Sequence, residues 1–105
     1  MRGTVRNSRK TEELAHLRNL PGAADGLELV DADLLTAGAV DAHVQDADVV
    51  MHTASPYILN VKDPQKDLVD PALFGTRNLM ESCLKSPSVR RVVLTSSMAA
   101  ITDEP

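Results

Sequence analysis

The sequence predicts an α/β protein built on a doubly wound parallel sheet, and three observations carry that expectation. Short β-type runs alternate with helix-length stretches along most of the 105 residues. One run, Val49-Val50-Met51, is apolar at consecutive positions, as in a strand covered on both faces. The punctuation between runs is turn chemistry: Leu20-Pro21-Gly22, Asp31-Ala32-Asp33 and Pro87.

The elements follow in order. Residues Arg2 to Arg6 read as a strand around Thr4 and Val5. Thr11 to Asn19 reads as a helix, with Thr11 as its cap and Leu14, Ala15 and Leu17 as its apolar side. Leu27 to Val30 is a second strand, Thr36 to Gln45 a short helix carrying Ala39, Val40 and Val44, and Ala47 to His52 the buried strand. Thr53 to Lys66 holds Pro56 and Pro64 without a sustained period and reads as a loop. Loops at strand ends of such sheets line the ligand crevice, so this one is a candidate for function. From about Asp67 to Lys85 a helix places Leu68, Ala72, Thr76, Leu79 and Cys83 three or four apart. Pro71 fits only in its first turn. Gly75 inside it costs about 1 kcal/mol against alanine, which implies a close packing contact with no room for a side chain. Pro87 stops the helix, and Arg91 to Thr95 forms the last strand, running into Ser96-Ser97.

Composition narrows the function classes. Hydrophobic residues make up 43% and charged residues 25%, with a formal net charge of -4. That is material for one small globular domain, and no apolar run is long enough to cross a bilayer. The single cysteine, Cys83, excludes an internal disulfide and sits on the apolar stripe of a helix, where a buried structural thiol is expected. With no apolar segment behind the basic start MRGTVRNSRK, no targeting signal is expected, and the location expected is cytoplasmic. Charge is uneven: residues 1–20 carry Arg2, Arg6, Arg9, Lys10 and Arg18 against Glu12 and Glu13. Such a patch suits a phosphate or is simply a solvated basic face. Nucleic acid is not expected as a partner, because the remainder is acidic and Tyr57 and Phe74 are the only aromatics. His16, His43 and His52 stand apart from one another and from acidic partners at metal spacing, so no metal site is expected.

The order of elements is that of a nucleotide-binding sheet, yet no glycine-rich strand-to-helix turn with GxxGxxG spacing occurs. Seven motifs occur in sequence: GTVR at 3–6, HLRNLPGA at 16–23, DADL at 31–34, HTASP at 52–56, VKDPQ at 61–65, GTRNLM at 75–80 and SVRRVVLTSSMAA at 88–100. Together they resemble the extended short-chain dehydrogenase/reductase superfamily of NAD(P)-dependent epimerase/dehydratase-like proteins. The likeness is closest to its dihydroflavonol reductase, cinnamoyl-CoA reductase and phenylacetaldehyde reductase group. It covers nearly the whole chain but corresponds to an internal third of a family member. The fold implied is a partial Rossmann-like sheet over residues 1–105, lacking the first, glycine-rich strand and the C-terminal substrate lobe.

The resemblance assigns roles. Arg6 matches the family arginine that contacts the 2′-phosphate of NADP, a guanidinium suiting that group where an acid would repel it. The family lysine that follows is replaced by Glu13, and Lys10 or Arg9 is expected to compensate. Asp33 and Leu34 match the pair facing the adenine edge; as a purely local reading, Asp33 caps the helix after it. Thr53, Ala54 and Ser55 match small residues that let the backbone approach the nicotinamide ribose and pyrophosphate, and Ser96 is counted with the cofactor contacts. Ser97 matches the serine that hydrogen-bonds the substrate oxygen. The family's catalytic tyrosine and the lysine four positions beyond it find no match, since Tyr57 has Val61 at that spacing.

The activity implied is NADPH-dependent interconversion of an aldehyde or ketone and an alcohol, on a small-molecule substrate, with this chain alone expected to lack the general acid. Two alternatives stay open: epimerase or dehydratase chemistry of the same superfamily, and a non-catalytic nucleotide-binding or partner-binding remnant. In the strand order 3-2-1-4-5-6 the unmatched first strand is central. Its absence is expected to part the strands into two pairs and leave the isolated chain aggregation-prone or partly folded.

Overall fold

A computed structural model describes residues 1–102. Four strands form, all four residues long: β1 (Arg2–Val5), β2 (Glu28–Asp31), β3 (Val49–His52) and β4 (Arg91–Leu94). They make two separate parallel pairs, β1 with β2 and β3 with β4. Register sets Arg2 against Glu28 and Val5 against Asp31, then Val49 against Arg91 and His52 against Leu94. The parting into two pairs is therefore as expected.

Ladder phase shows where each pair is left open. The Glu28 and Ala32 amides donate to the Met1 and Val5 carbonyls, both at 2.9 Å, and the Thr95 amide donates to the His52 carbonyl at 3.0 Å. Because alternate residues of a parallel strand bond to alternate sides, the peptide groups of Arg2 and Thr4 lie on the edge of β1 away from β2. Those of Val49 and Met51 lie on the edge of β3 away from β4.

The helical layer is uneven. The stretch expected as a helix over Thr11–Asn19 contracts to α1 (Ala15–Arg18), entered through turns, and Thr11 does not cap it. Thr36–Gln45 likewise contracts to α3 (Asp41–Val44), while an additional turn of helix, α2 (Ala23–Gly26), follows Gly22, whose φ of 81° supplies the left-handed turn after Pro21. Left-handed Gly38 (φ 75°) keeps α3 from starting earlier although Val40 and Val44 are buried. Helix α1 stays one turn because so short a helix has too few bonds to offset its nucleation cost without a well-packed partner. The long helix α4 (Asp70–Lys85) has that partner. It is preceded by a wide, π-type turn over Gln65–Val69. Pro71, second in α4, has no N–H for the Asp67 carbonyl, which relaxes the ladder at that point. At the other end Ser86 turns extended ahead of Pro87, as a residue before proline must.

The core lies between α3, α4 and one face of the β3–β4 pair. Val40, Val44, Leu79 and Cys83 are buried, with Ala32, Leu34, Val50, Val89 and Val92 packed against them. The expectation that β3 is covered on both faces is not met: Val49 is 53% and Met51 67% exposed, and Val93 beside them on β4 is open too. Nothing among the described residues packs over that face. The exposed area is 8340 Å², where a compact monomer of this mass shows about 5,700 Å². The radius of gyration is 15.2 Å, against about 13 Å for a compact domain of this length.

Candidate functional site

Every residue singled out for the site follows the carboxyl end of a strand. Arg6 leaves β1, Asp33 and Leu34 leave β2, Thr53, Ala54 and Ser55 leave β3, and Ser96 and Ser97 leave β4. Carboxyl ends of parallel strands are where open α/β sheets hold ligands, since connections there rise off the sheet and expose their peptide groups. Within each pair, parallel pairing brings two such ends side by side. The 3.0 Å bond from the Thr95 amide to the His52 carbonyl joins the start of the Thr53–Ser55 segment to that of Thr95–Ser97.

At the first end, Arg6 is exposed, and among the described residues its guanidinium enters no hydrogen bond or ion pair. The turn after it is tied down at Ser8. The Ser8 amide donates to the Asp31 carboxylate at 2.5 Å, and Arg18 Nη2 donates to the Ser8 carbonyl at 3.1 Å. Hydrogen bonds from Ser8 hold the Asp31 carboxyl below its usual range, with a smaller attraction from Arg9. Lys10, expected to offer its charge to a phosphate, has its ammonium on Glu13 at 2.9 and 3.2 Å. Glu13 thus pairs with Lys10, and among the described residues the Arg9 guanidinium enters no hydrogen bond or ion pair.

At the second end, Asp33 Oδ1 accepts from the Leu35 amide at 2.9 Å. This is the local turn weighed as the cap reading, except that turns rather than a helix follow, and only one carboxylate oxygen is used. Leu34 is held by α4: Asn78 Nδ2 donates to its carbonyl at 2.7 Å, and an added Cβ on Gly75 would lie 3.4 Å from the Leu34 Cβ. The glycine therefore leaves room for a methyl group and nothing larger.

At the third end, His52 is buried, and its Nε2 is hydrogen-bonded to Thr76 Oγ1 of α4 at 3.0 Å. Burial pushes its pKa down, so the neutral ring is favoured. It anchors the exposed Thr53-Ala54-Ser55 segment, and among the described residues no group of three His, Cys, Asp or Glu side chains lies close enough together to hold a metal ion. At the fourth end, Ser97 is exposed, and its Oγ accepts from the Ala99 amide at 3.2 Å, capping a short turn over Met98–Ala100. Its hydroxyl proton is not used in that bond. Cys83 is buried in the core, and burial raises its thiol pKa, which fits a structural role.

Sequence reasoning missed the supports. Asp31, Arg18, Asn78 and Thr76 position the site segments through contacts to main chain or to a ring on another element. Thr76 left a trace, as a polar residue on the apolar stripe of its helix.

Residues 5–105 match the 3-beta hydroxysteroid dehydrogenase/isomerase family. The chain belongs to that family. It is 52% identical to cinnamoyl-CoA reductase CAD2 of Medicago truncatula over 96% of the chain and 31% of the relative. It is 43% identical to tetraketide alpha-pyrone reductase 1 of Arabidopsis thaliana over 94% of the chain and 30% of the relative. Among solved structures it superposes on vestitone reductase from alfalfa (Medicago sativa) with a TM-score of 0.70 and 29% identity, over 94% of this chain and 28% of that one. A reductase engineered for asymmetric catalysis gives a TM-score of 0.74 at 34% identity, over 94% of this chain and 30% of that one. The chain spans about a third of the length of these relatives, and the reductase branch expected from the motifs is the one they occupy. No helix among the described residues is long and apolar enough to cross a membrane.

Proposed function

We propose that residues 1–105 are part of the NAD(P)-binding Rossmann-type domain of an NADP-dependent oxidoreductase that interconverts an aldehyde or ketone and an alcohol in the cytoplasm. The observation that carries this reading is that Arg6, Asp33, Leu34, Thr53–Ser55 and Ser96-Ser97 each follow the carboxyl end of a strand in one of the two parallel pairs.

The residues present fit the adenosine half of such a cofactor. Arg6 and Arg9 are free guanidinium groups for a 2′-phosphate, and the unused Asp33 oxygen accepts from an exocyclic amine. Thr53, Ala54 and Ser55 are small and exposed, which lets a ribose and pyrophosphate come close to the backbone. Bound there, the cofactor supplies a hydride. Ser97 Oγ donates to the substrate oxygen, holding it as negative charge develops. Tyrosine as acid, the lysine beside it, the glycine-rich first strand and the substrate lobe fall to the remaining two thirds of a family-length protein.

The test is turnover of NADPH by the longest natural product carrying this sequence, against a panel of aldehydes and ketones. Ser97→Ala is expected to lower kcat about 100-fold or more. Absence of NADPH oxidation with every carbonyl tried, or an unaffected Ser97→Ala variant, contradicts the reading.

A further inference from the structure

Resting on that reading, we propose that Asp31 and Arg18 are positioning residues for the 2′-phosphate, clamping Ser8 at its amide and at its carbonyl so that Arg6 and Arg9 stand free to hold it. A carboxylate next to an expected phosphate site is at first sight a fault. Asp31 pairs with Val5 across the β1–β2 ladder, so it lies beside the very residue from which Arg6 departs. Left free there, it would repel a phosphate and suit a ribose diol instead.

The structure gives that charge another use. Asp31 accepts the Ser8 amide at 2.5 Å, and a carboxylate taking a backbone N–H makes a charge-assisted bond of about twice the usual strength. Arg18, on α1, takes the other end of the same residue by donating to its carbonyl at 3.1 Å. Between these jaws the turn is completed locally: the Arg9 amide donates to Asn7 Oδ1 at 3.0 Å and the Lys10 amide to the Asn7 carbonyl at 3.4 Å. Five residues that would otherwise be a flexible basic loop are thus fixed at their centre.

Charge distribution completes the argument. Of the four cations around Ser8, Lys10 is neutralised by Glu13 and Arg18 is committed to the Ser8 carbonyl. Arg6 and Arg9 remain exposed, on either side of the clamped peptide, without ion pairs among the described residues. Two guanidinium groups on a fixed turn lose less entropy on gripping a phosphate than two on a mobile one. The clamp therefore acts on phosphate affinity and leaves the rest of the nucleotide alone.

The experiment is calorimetric titration of the intact protein with adenosine 2′,5′-bisphosphate and with adenosine 5′-monophosphate, whose affinity ratio isolates the 2′-phosphate. Arg6→Ala, Asp31→Asn and Arg18→Met are compared, with the Ser8 amide proton followed by NMR as a direct reading of the clamp. Arg6→Ala is expected to bring the ratio close to one. Asp31→Asn and Arg18→Met are each expected to cut it about threefold to tenfold, with 5′-monophosphate affinity within about twofold of the parent. Asp31→Asn is also expected to move the Ser8 amide upfield. If Arg6→Ala collapses the ratio and the two clamp variants leave it unchanged, the clamp is overturned and the NADP reading stands. If the parent shows no preference for the bisphosphate, or Arg6→Ala leaves that preference intact, the NADP reading itself fails. Should Asp31→Asn not fold, Arg18→Met decides alone, because it releases the carbonyl of the same residue.

Discussion

The two strand pairs are held by different physics. Around β3–β4, α3 and α4 close an apolar core of Val40, Val44, Leu79 and Cys83, tied at its rim by polar bonds. Ser82 Oγ donates to Asp41 at 2.5 Å, Lys85 Nζ donates to the same carboxylate at 3.1 Å, and Ser86 Oγ donates to the Val44 carbonyl at 3.2 Å. Around β1–β2, Ala23 is the one buried hydrophobic residue among the described residues. Polar contacts do the rest: Arg2 with Glu28 at 3.0 Å, Arg2 to the His43 carbonyl at 3.2 Å, and the Ser8 clamp. Burial supplies most of a domain's stabilisation, whereas exposed ion pairs add at most about 1 kcal/mol each. The difference teaches that the pair carrying the phosphate turn depends on its surroundings for stability, while the pair carrying Ser97 brings its own core on one side.

The largest effect should come from opening that core. Leu79→Ala is expected to cost about 2–5 kcal/mol, enough to unfold a chain this small, while Leu29→Ala on β2 should cost about 1 kcal/mol or less. Urea titrations followed by circular dichroism make the comparison, and equal costs would break it. The parent chain, with an open edge on each of its four strands and a bare face, should melt without a cooperative transition above about 50 °C.

Hydrogen exchange sharpens the same contrast. Amides of α4 and β4 should be the slowest in the molecule, and those of β1, α1 and α2 should exchange at least about tenfold faster. Uniform protection across both pairs would contradict the division.

Acid should act first on the β3–β4 half. Burial depresses the His52 pKa below 6.5 in the folded state, so the neutral ring favours folding above 6.5 and that contribution is lost as pH falls through the folded value. The Ser82 hydroxyl, then Lys85, hold the Asp41 carboxyl below 3.8, so its contribution is present above 3.8 and lost as pH falls through its lower folded value. Denaturation midpoints between pH 7 and 3 should therefore fall in two steps, with His52→Gln removing the first and Asp41→Asn reducing the second, which the lowered Asp31 carboxyl shares. A variant retaining both steps in full would show the wrong groups have been named.

The smallest effect is expected at Gly75. Gly75→Ala should change stability by less than about 1 kcal/mol, because the helix gains propensity while the methyl group only touches Leu34. Gly75→Val should cost about 1–3 kcal/mol by displacing Leu34.

Much of this architecture was legible in the sequence, and the reason is periodicity. Val49-Val50-Met51 and Val92-Val93-Leu94 announce strands on their own, and strand order then places Arg6, Asp33, Thr53 and Ser97 at carboxyl ends. Helix length was not legible: the stripe of Thr11–Asn19 is only half-buried, and in Thr36–Gln45, where Val40 and Val44 are buried, the left-handed Gly38 (φ 75°) keeps the helix from starting earlier. Coverage of Val49 and Met51 was not legible either, since an apolar run says what a residue prefers and not what lies over it. The clamp of Ser8 by Asp31, and of Leu34 by Asn78, join residues 23 and 44 positions apart through main-chain atoms, which leave no local pattern.

The central claim is that the nucleotide site lies at the carboxyl ends of four parallel strands. Amide hydrogen exchange of the intact protein with and without NADPH tests it most directly. The account predicts added protection at residues 6–10, 31–35, 53–55 and 95–97. Protection confined to the exposed Val49, Met51 and Val93 face, or no change at any of these segments at saturating NADPH, would contradict it.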